Sequence, residues 1–517
     1  MRAGFAVKWH WMAVHSANST RVKRAGLIAG IGLAVLVQLF PAPAALDREA
    51  WLLASLALMM AAWWATEAIP IAATALIPLA LFPFFGVTTM DAAAGPYASP
   101  IVMLLLGGFI IALGIERWHL HARIALNVVA AFGARPSLLI LGFMVAGAVL
   151  SMWISNTATT LMMLPIALKV AEAVKREGVD IGRFAPALVL GVAYACSTGG
   201  IATPVGTPTN LIGLAFLQDN FDTAISFPQW MAAGVPASAL IVPALWLLLT
   251  RLVFPLRAGG NTGGRQALEA ERAALGPMGA AERRVAMSFG IVAVLWMGRE
   301  LPGALLGQPG MEWGWNPLLA WLAGVVGLPI TPQLGNAQIA VAGAVAMFLI
   351  PAGTAKRGEA LMDWQTAARL PWHVIILFGG GLSLASAIQG SGLADWIGSY
   401  LTGIAAWPLP LLVLVLAFIV VFLTELTSNV ATVSGFLPVL AALAANAGVP
   451  PSWLIVPVAM AASCAYMLPV ATAPNAIAYA SGEVSMAQMI RAGARMNLIA
   501  APVIALIGSL IVPRVMG

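Results

Sequence analysis

The sequence contains two similar segments, SNTATTLMMLP at residues 155–165 and SNVATVSGFLP at residues 428–438, which are identical at six of eleven positions. Two further motif pairs recur in the same order: LGG at 106–108 with FGG at 378–380, and PVGTPTN at 204–210 with PVATAPN at 469–475. The three pairs are offset by 273, 272 and 265 residues. Such ordered recurrence indicates an internal repeat of the whole architecture.

Each repeated segment lies within a long apolar stretch. Of the 517 residues, 61% are hydrophobic and 9% are charged, whereas a soluble globular chain has about 25% charged residues. The apolar runs reach about 20 residues, the length that spans a bilayer core. The composition therefore predicts an all-α polytopic membrane protein. It excludes a soluble enzyme or a soluble nucleic-acid binder.

Hydropathy predicts about eleven membrane spans and two longer apolar stretches, residues 136–170 and 408–445, each with a polar cluster near its middle. Irregular backbone at membrane depth is tolerated only where it is buried in protein or faces water. We therefore predict two re-entrant helical hairpins with the Ser-Asn segments at their tips. The predicted spans are 26–42, 50–66, 69–87, 99–118, 185–215, 228–254, 285–300, 335–352, 371–403, 453–482 and 493–513.

The Lys and Arg residues predict the orientation of the chain. With the N-terminus in the cytoplasm, 23 of the 26 fall in cytoplasmic segments, the exceptions being Arg48, Arg299 and Arg514. This positive-inside pattern explains the basic pI without a nucleic-acid partner. The basic residues 1–25 before an apolar run also resemble a secretory signal peptide. The length of the charged region and the spans that follow it favour a retained first helix.

Five predicted spans lie between equivalent points of the two repeats. Because this number is odd, the repeats are expected to cross the membrane in opposite directions. Inverted repeats with broken helices are typical of secondary transporters, which bind their substrate near the bilayer midplane. The sequence thus predicts a transporter.

The hairpin tips carry Ser155, Asn156 and Thr157 in the first repeat and Ser428 and Asn429 in the second. Interrupted helices leave N–H and C=O groups unpaired, and N–H groups at a helix start attract anions. Carbonyl, hydroxyl and amide oxygens suit a hard cation such as Na⁺. The Ser-Asn pairs would alternatively only cap the second arm of each hairpin. Their recurrence at equivalent places favours a binding role.

Both proline motifs fall inside predicted spans. Proline removes a helical hydrogen bond and clashes with the preceding turn, so we expect each span to unwind there. A simple kink is the alternative, but it leaves Thr207, Asn210, Thr472 and Asn475 unexplained. An unwound stretch that faces each hairpin tip would complete a binding cavity.

Ser151 and Thr424 occupy equivalent positions one turn before each tip. A hydroxyl in a membrane helix often bonds only its own backbone. As a pair beside the Ser-Asn motifs, they are better explained as cation ligands.

Two acids, Glu67 and Glu425, are predicted at or near membrane depth, where an ionisable group is a functional hypothesis. For Glu67, the alternative is a position at the cytoplasmic interface. For Glu425, the alternative is that local hydroxyls hold its carboxylate. Direct ion coordination is the less favoured role for both. Asp395 is expected at the interface. No Lys or Arg is predicted near the tips. An anionic substrate would therefore be offset by helix ends and bound cations.

The motifs resemble those of the divalent anion/sodium symporter family. The resemblance rests on the two Ser-Asn tips, the two proline motifs and WWATEAIP at residues 63–70, and it extends over about residues 50–515. It implies a homodimer of eleven-helix protomers, each with a scaffold domain and a transport domain. The family carries di- and tricarboxylates or sulfate by an elevator-like movement. A multi-pass protein of the bacterial inner membrane is therefore expected.

The resemblance also implies site residues. Substrate would contact Ser155, Asn156, Thr157, Ser428, Asn429, Thr207, Pro208, Thr472 and Ala473. One Na⁺ would bind at Ser151, Ser155, Asn156 and Gly206, and a second at Thr424, Thr427, Asn429 and Ala471. The chain departs from the family at Val430, where the family usually has Thr. Because valine lacks the hydroxyl, the identity of the substrate is left open.

The repeat and the resemblance together divide the chain into five predicted parts. They are a cytoplasmic segment, 1–25; N-terminal scaffold helices, 26–98; a first repeat, 99–227, with hairpin 136–170 and broken helix 185–215; scaffold helices with a cytoplasmic loop, 228–370; and a second repeat, 371–517, with hairpin 408–445 and broken helix 453–482.

The expected function is Na⁺-coupled import of C4-dicarboxylates such as succinate or malate. A dicarboxylate exchanger or a sulfate transporter on the same fold is the alternative. A membrane-embedded enzyme would need a nucleophile–base pair or metal ligands at depth. Only His373 is a candidate base in an apolar setting, and Cys196 and Cys464 lack the spacing of metal ligands. We therefore expect a transporter without enzymatic activity.

Overall fold

The structure is a computed structural model that describes residues 23–133, 135–176, 181–256, 264–302, 312–327, 329–356 and 358–516. Nearly all of the predicted cytoplasmic segment 1–25 lies outside these ranges. Most of the described chain is α-helical, and one small antiparallel sheet pairs Leu301–Pro302 with Glu312–Trp313. The all-α prediction is therefore confirmed.

The helices before the first predicted hairpin include close matches to two predicted spans, Arg48–Thr66 and Pro100–Arg117. The predicted span 69–87 is instead two short helices, because Pro78 starts a second helix after a turn. The remaining helical segments of this part are residues 23–38, Ile71–Thr74, Ile77–Phe84, Met90–Ala94, the 3₁₀ turn Gly95–Ala98, and Leu120–Ala131.

The two repeats have the same order of elements: two helices joined by a short turn, then two helices separated by an extended break. The first repeat contains Pro136–Ser151, Asn156–Arg176, Ile181–Gly200 and Pro208–Phe221. The second contains Leu409–Leu423, Asn429–Ala447, Ser452–Ala462 and Ala473–Ala480. We call the first two helices of each repeat its hairpin and the last two its broken helix. Entry of each hairpin from one membrane face stays a prediction.

The remaining described helices follow the first broken helix along the chain and lie outside both hairpins and both broken helices. They are Phe227–Leu247 with its π-helical continuation Leu248–Val253, Gly264–Ala274, Ala280–Gly298, Trp315–Val326, Asn336–Leu349, Trp364–Ala367, Trp372–Gly390, Leu393–Ser399, Thr402–Ala405, Met486–Leu510 and Val512–Val515. Within the described ranges, seven helical segments are long and apolar enough to cross a membrane, and seven more apolar helices have 10–17 residues. The chain is thus a multi-pass membrane protein.

Three described helices of eleven or twelve residues were not among the predicted spans. Trp315–Val326 is apolar but has only 12 residues, fewer than a hydropathy window for a span requires. Leu120–Ala131 and Gly264–Ala274 lie in residues 117–135 and 251–284, two of the segments that the Lys and Arg distribution predicts to be cytoplasmic. Gly264–Ala274 carries an ion pair between Arg265 and Glu269, on successive turns. Such a pair stabilises a polar helix that hydropathy does not detect.

Arg117, at the end of its helix, binds the loop that follows Asn336–Leu349. Its guanidinium lies 2.5 Å from Asp363 Oδ2 and 3.2 Å from Glu359 Oε1. The Thr366 backbone N–H and this guanidinium lower the pKa of Asp363. The loop is therefore held to the helix by charged groups that stay ionised at neutral pH.

The glycines of the LGG and FGG motifs lie where helices approach closely. A Cβ placed on Gly107 would be 2.6–2.8 Å from atoms of Ala340, and one on Gly380 would be 2.2 Å from Ala75 O. Gly108, by contrast, has nothing within 4 Å of its Cβ position. Gly107 and Gly380 thus serve helix packing, as small residues commonly do between membrane helices, whereas Gly108 does not.

We predict that Gly107→Ala lowers the free energy of unfolding by about 1–3 kcal/mol, because the methyl group overpacks the contact with Ala340. Gly108→Ala, one residue away in the same helix, is the matched control and should not destabilise. Thermal unfolding of the purified proteins in detergent measures both. Equal unfolding midpoints for the two variants would contradict the packing role.

Candidate functional site

The first hairpin changes direction between Ser151 and Asn156. The Ser151 hydroxyl is fully buried and donates to Asn156 Oδ1 at 2.5 Å. The Ser155 hydroxyl makes a long capping contact, accepting from the Ala158 N–H at 3.4 Å. The Ser-Asn segment is thus organised mainly by the side chain of Ser151.

The second hairpin turns between Leu423 and Asn429, and Ser428 caps the following helix without a side-chain hydrogen bond. Thr424 Oγ1 and Asn429 Oδ1 are equivalent to the bonded atoms of Ser151 and Asn156. Both are buried, and neither has a hydrogen-bond partner in the described chain. Capping alone therefore does not explain this tip, and two oxygens remain able to bind another group.

Each broken helix is interrupted just before the threonine of its proline motif, Thr207 or Thr472. Thr207 has φ −142° and ψ 146°, and Thr472 has φ −142° and ψ 150°, so both are extended and start a new helix. The Thr472 hydroxyl also accepts from the Asn475 N–H at 3.2 Å. The two breaks thus end in the same backbone conformation.

Two asparagines close the breaks. Asn210 Nδ2 donates to Gly200 O at 2.9 Å and to Thr203 O at 2.8 Å. Asn475 makes the equivalent pair of bonds in the second repeat, at 3.1 and 3.0 Å. Both side chains are fully buried. Each asparagine thus donates to two carbonyls beside the break, of which Thr203 O and Leu468 O also accept a backbone N–H within the break.

Both hairpin tips and both breaks line one cavity of about 1280 Å³. All residues predicted to contact substrate line it: Ser155, Asn156, Thr157, Ser428, Asn429, Thr207, Pro208, Thr472 and Ala473. Among the remaining predicted cation ligands, Gly206, Thr427 and Ala471 also line the cavity. Ser151 and Thr424 lie buried behind the tips. The binding roles of these residues stay predictions.

The first tip packs closely against the first break. A Cβ on Gly200 would be 2.7 Å from Asn156 Oδ1, and one on Gly206 would be 2.5 Å from Gly200 O. Only glycine at these two positions allows the end of Ile181–Gly200, the break at Gly206 and the tip at Asn156 to approach so closely. The amide of Asn156 is thereby held beside backbone carbonyls of the break.

Hydroxyl contacts join the two repeats. Ser463 Oγ lies 2.7 Å from Thr209 Oγ1 and 3.3 Å from Thr207 Oγ1. Thr198 Oγ1 lies 2.8 Å from the Tyr466 hydroxyl. Thr198 and Ser463 are equivalent at the 265-residue offset. Sequence reasoning missed both, although extending the repeat alignment upstream of the proline motifs would have paired these hydroxyl residues.

Charged groups also line the cavity, one Lys among them; the absence of Lys and Arg near the tips stays a prediction. Lys23 Nζ is 3.9 Å from Glu67 Oε2, with both side chains about half exposed. Glu67 ends its helix in a left-handed conformation. This exposure agrees with an interfacial position for Glu67. Within the described chain, Lys23 is the only Lys or Arg in the cavity wall, and it is paired.

Histidines and one further acid complete the titratable groups of the cavity wall: Glu116, His121 and His373. Glu425 does not line it. Its carboxylate is buried and hydrogen-bonded to the second break and to Asn497, rather than to the local hydroxyls expected from sequence.

We predict that Asn475→Ala lowers the free energy of unfolding by about 2 kcal/mol or more, because Ala465 O and Leu468 O each lose a hydrogen bond from a buried side chain. Asn446→Ala is the matched control: its side chain is exposed and donates one bond, to Ala442 O. That change should cost less than about 1 kcal/mol. Equal losses of thermal stability in the two purified variants would show that Asn475 does not hold the break.

Comparison with known proteins agrees with this arrangement. The family described as the sodium:sulfate symporter transmembrane region matches residues 21–516. The chain is 39% identical to the sodium-dependent dicarboxylate transporter SdcS of Staphylococcus saprophyticus and 38% identical to that of Staphylococcus aureus. Both alignments extend over 498 residues and cover 95% of this chain and 92% of the relative.

Two solved structures share the fold. The Alcanivorax borkumensis YdaH transporter aligns with a TM-score of 0.54 and 14% identity, covering 89% of this chain and 98% of that one. Neisseria gonorrhoeae MtrF aligns with a TM-score of 0.55 and 12% identity, covering 92% and 97%. The family model and the relatives confirm the resemblance seen in the motifs and the expectation of a transporter rather than an enzyme. The chain belongs to the sodium:sulfate symporter family, the divalent anion/sodium symporters.

Proposed function

We propose that the protein imports dicarboxylates together with Na⁺, with C4 substrates such as succinate or malate as the best candidates. The names of the relatives support a sodium-coupled dicarboxylate transporter. The observation that carries the proposal is the convergence of two hydroxyl- and amide-bearing tips and two helix starts on one cavity.

The substrate carboxylates would be bound without a dedicated basic side chain. Hydroxyl and amide groups at the two tips donate to carboxylate oxygens, and the N-termini of Pro208–Phe221 and Ala473–Ala480 add backbone N–H groups with a favourable dipole. Thr207, Pro208, Thr472 and Ala473 form these helix starts. Lys23 is engaged by Glu67 and therefore adds little net charge.

The cations would bind beside the tips through oxygen atoms alone. The first site comprises Ser151, Ser155, Asn156 and Gly206, and the second comprises Thr424, Thr427, Asn429 and Ala471. The buried, unpartnered oxygens of Thr424 and Asn429 fit a hard cation. Hydroxyl, amide and carbonyl ligands are the donor set that Na⁺ requires.

Coupling follows from charge. A dicarboxylate carries two negative charges, and moving them into a low-dielectric protein interior is costly unless they are compensated. Two bound Na⁺ ions would neutralise the substrate and would order the tips that contact it. The loaded transport domain would then move relative to the scaffold, in an elevator-like step.

The same proposal includes the arrangement of the repeats, the oligomeric state and the orientation in the membrane. Residues 99–227 and 371–517 would form inverted repeats within the transport unit. The scaffold helices would form a homodimer in the inner membrane, with the N-terminus in the cytoplasm. Val430 lines the cavity and packs against the apolar core. Its side chain therefore presents an apolar surface at the second tip and offers the substrate no hydrogen bond. This apolar surface suits the methylene carbons of a C4 substrate better than a sulfate ion.

Uptake into proteoliposomes tests the function. We expect labelled succinate uptake to require an inward Na⁺ gradient and to be competed by malate more effectively than by citrate or sulfate. Replacing Na⁺ with choline should abolish uptake, because the uncompensated dianion would not be bound. Uptake driven only by internal dicarboxylate, without Na⁺, would instead show an exchanger.

Protein-free liposomes and an Asn156→Ala variant serve as controls. The variant loses an amide that both the anion and the first cation would contact. It should therefore lose uptake while keeping the wild-type elution profile on size exclusion.

A further inference from the structure

Glu425 lies in the second tip, one residue after Thr424 and two before Thr427. Its side chain is only 2% exposed. A buried acid in a membrane protein costs free energy unless its environment compensates the charge. The surroundings of this carboxylate therefore decide its role.

Four N–H donors surround the Glu425 carboxylate. Oε1 accepts from the backbone N–H groups of Tyr466 at 2.7 Å and Met467 at 2.9 Å, and from Asn497 Nδ2 at 2.8 Å. Oε2 accepts from the Leu468 N–H at 3.0 Å. All four partners donate, which is the pattern of an ionised carboxylate. None of them carries a positive charge.

The three backbone donors belong to the unwound stretch of the second broken helix. Leu468 links Glu425 to the rest of this stretch, because its carbonyl accepts from the Ala471 N–H at 3.2 Å and from Asn475 Nδ2 at 3.0 Å. Glu425 therefore joins the tip that carries Thr424 directly to the turn that presents Ala471.

The first repeat lacks this acid. The residue equivalent to Glu425 is Met152, whose backbone carbonyl accepts a hydrogen bond from the Thr203 hydroxyl. Tip and break are thus tied in both repeats, but by one neutral hydrogen bond in the first and by a charged, four-donor contact in the second. The two proposed cation sites differ in this respect.

We propose that Glu425 is the positioning residue of the second cation site. It holds the tip and the unwound stretch at the spacing that the cation requires. This inference rests on the proposed Na⁺ coupling. Glu425 acts through the segments that it fixes, because its own oxygens are occupied by N–H donors.

The test measures initial succinate uptake in proteoliposomes as a function of external Na⁺. For Glu425→Gln, we expect the Na⁺ concentration at half-maximal uptake to rise at least about tenfold, equivalent to about 1.4 kcal/mol. The half-saturating succinate concentration at saturating Na⁺ should change less than about threefold. Glu425→Asp, which keeps the charge, should show a smaller rise than Glu425→Gln. A general loss of folding would not separate the two concentrations in this way.

Asp395→Asn is the matched charge control. It removes the same charge from an exposed position, so its Na⁺ dependence should stay within about twofold of wild type. If Glu425→Gln does not fold, Asn497→Ala carries the test, since it removes one donor from the carboxylate. Its half-saturating Na⁺ concentration should rise about threefold.

The outcomes separate the inference from the proposed function. Na⁺-dependent wild-type uptake with an unchanged Na⁺ requirement in folded Glu425→Gln would overturn the inference alone. An unchanged Asn497→Ala, with Glu425→Gln unfolded, would do the same. Wild-type uptake without any Na⁺ dependence would overturn the proposed function and this inference with it.

Discussion

Backbone polar groups at membrane depth must be satisfied within the protein, and the rest of this structure depends on that constraint. Two helices break inside the protein interior, which leaves carbonyls and N–H groups without helical partners. Asn210 and Asn475 satisfy the carbonyls, and Glu425 satisfies three N–H groups of the second break. The breaks therefore persist as defined non-helical segments that end in Thr207 and Thr472 at the cavity.

The same constraint shapes the chemistry of the site. The helix starts, hydroxyls and amides of the cavity wall offer an anion partial positive charges, and the one Lys that the described chain places there is paired with Glu67. Partial charges at helix starts stabilise an anion only modestly. In the proposed mechanism, compensation of a dianion comes from the cations that accompany it. On this proposal, the protein depends on Na⁺ because its cavity wall has little fixed positive charge to offer a dianion.

Much of this architecture could be predicted from sequence, because repeated motifs and prolines have local consequences. The Ser-Asn segments and the proline motifs indicate where helices should be interrupted, and the structure has interruptions at these places. Long-range partners could not be predicted in this way. Asn497 is 72 residues from Glu425, and Lys23 reaches the wall of a cavity formed mainly by residues far along the chain. The short apolar helix Trp315–Val326 escaped detection because hydropathy windows average over longer stretches.

The most direct test of the central claim is calorimetric titration of succinate into the purified protein, with and without Na⁺ at constant ionic strength. If anion and cations share one site, their binding is coupled, and by linkage each must tighten the other. We predict that saturating Na⁺ lowers the dissociation constant of succinate at least about tenfold relative to choline, a coupling of about 1.4 kcal/mol. Equal succinate affinity in Na⁺ and in choline would contradict the account.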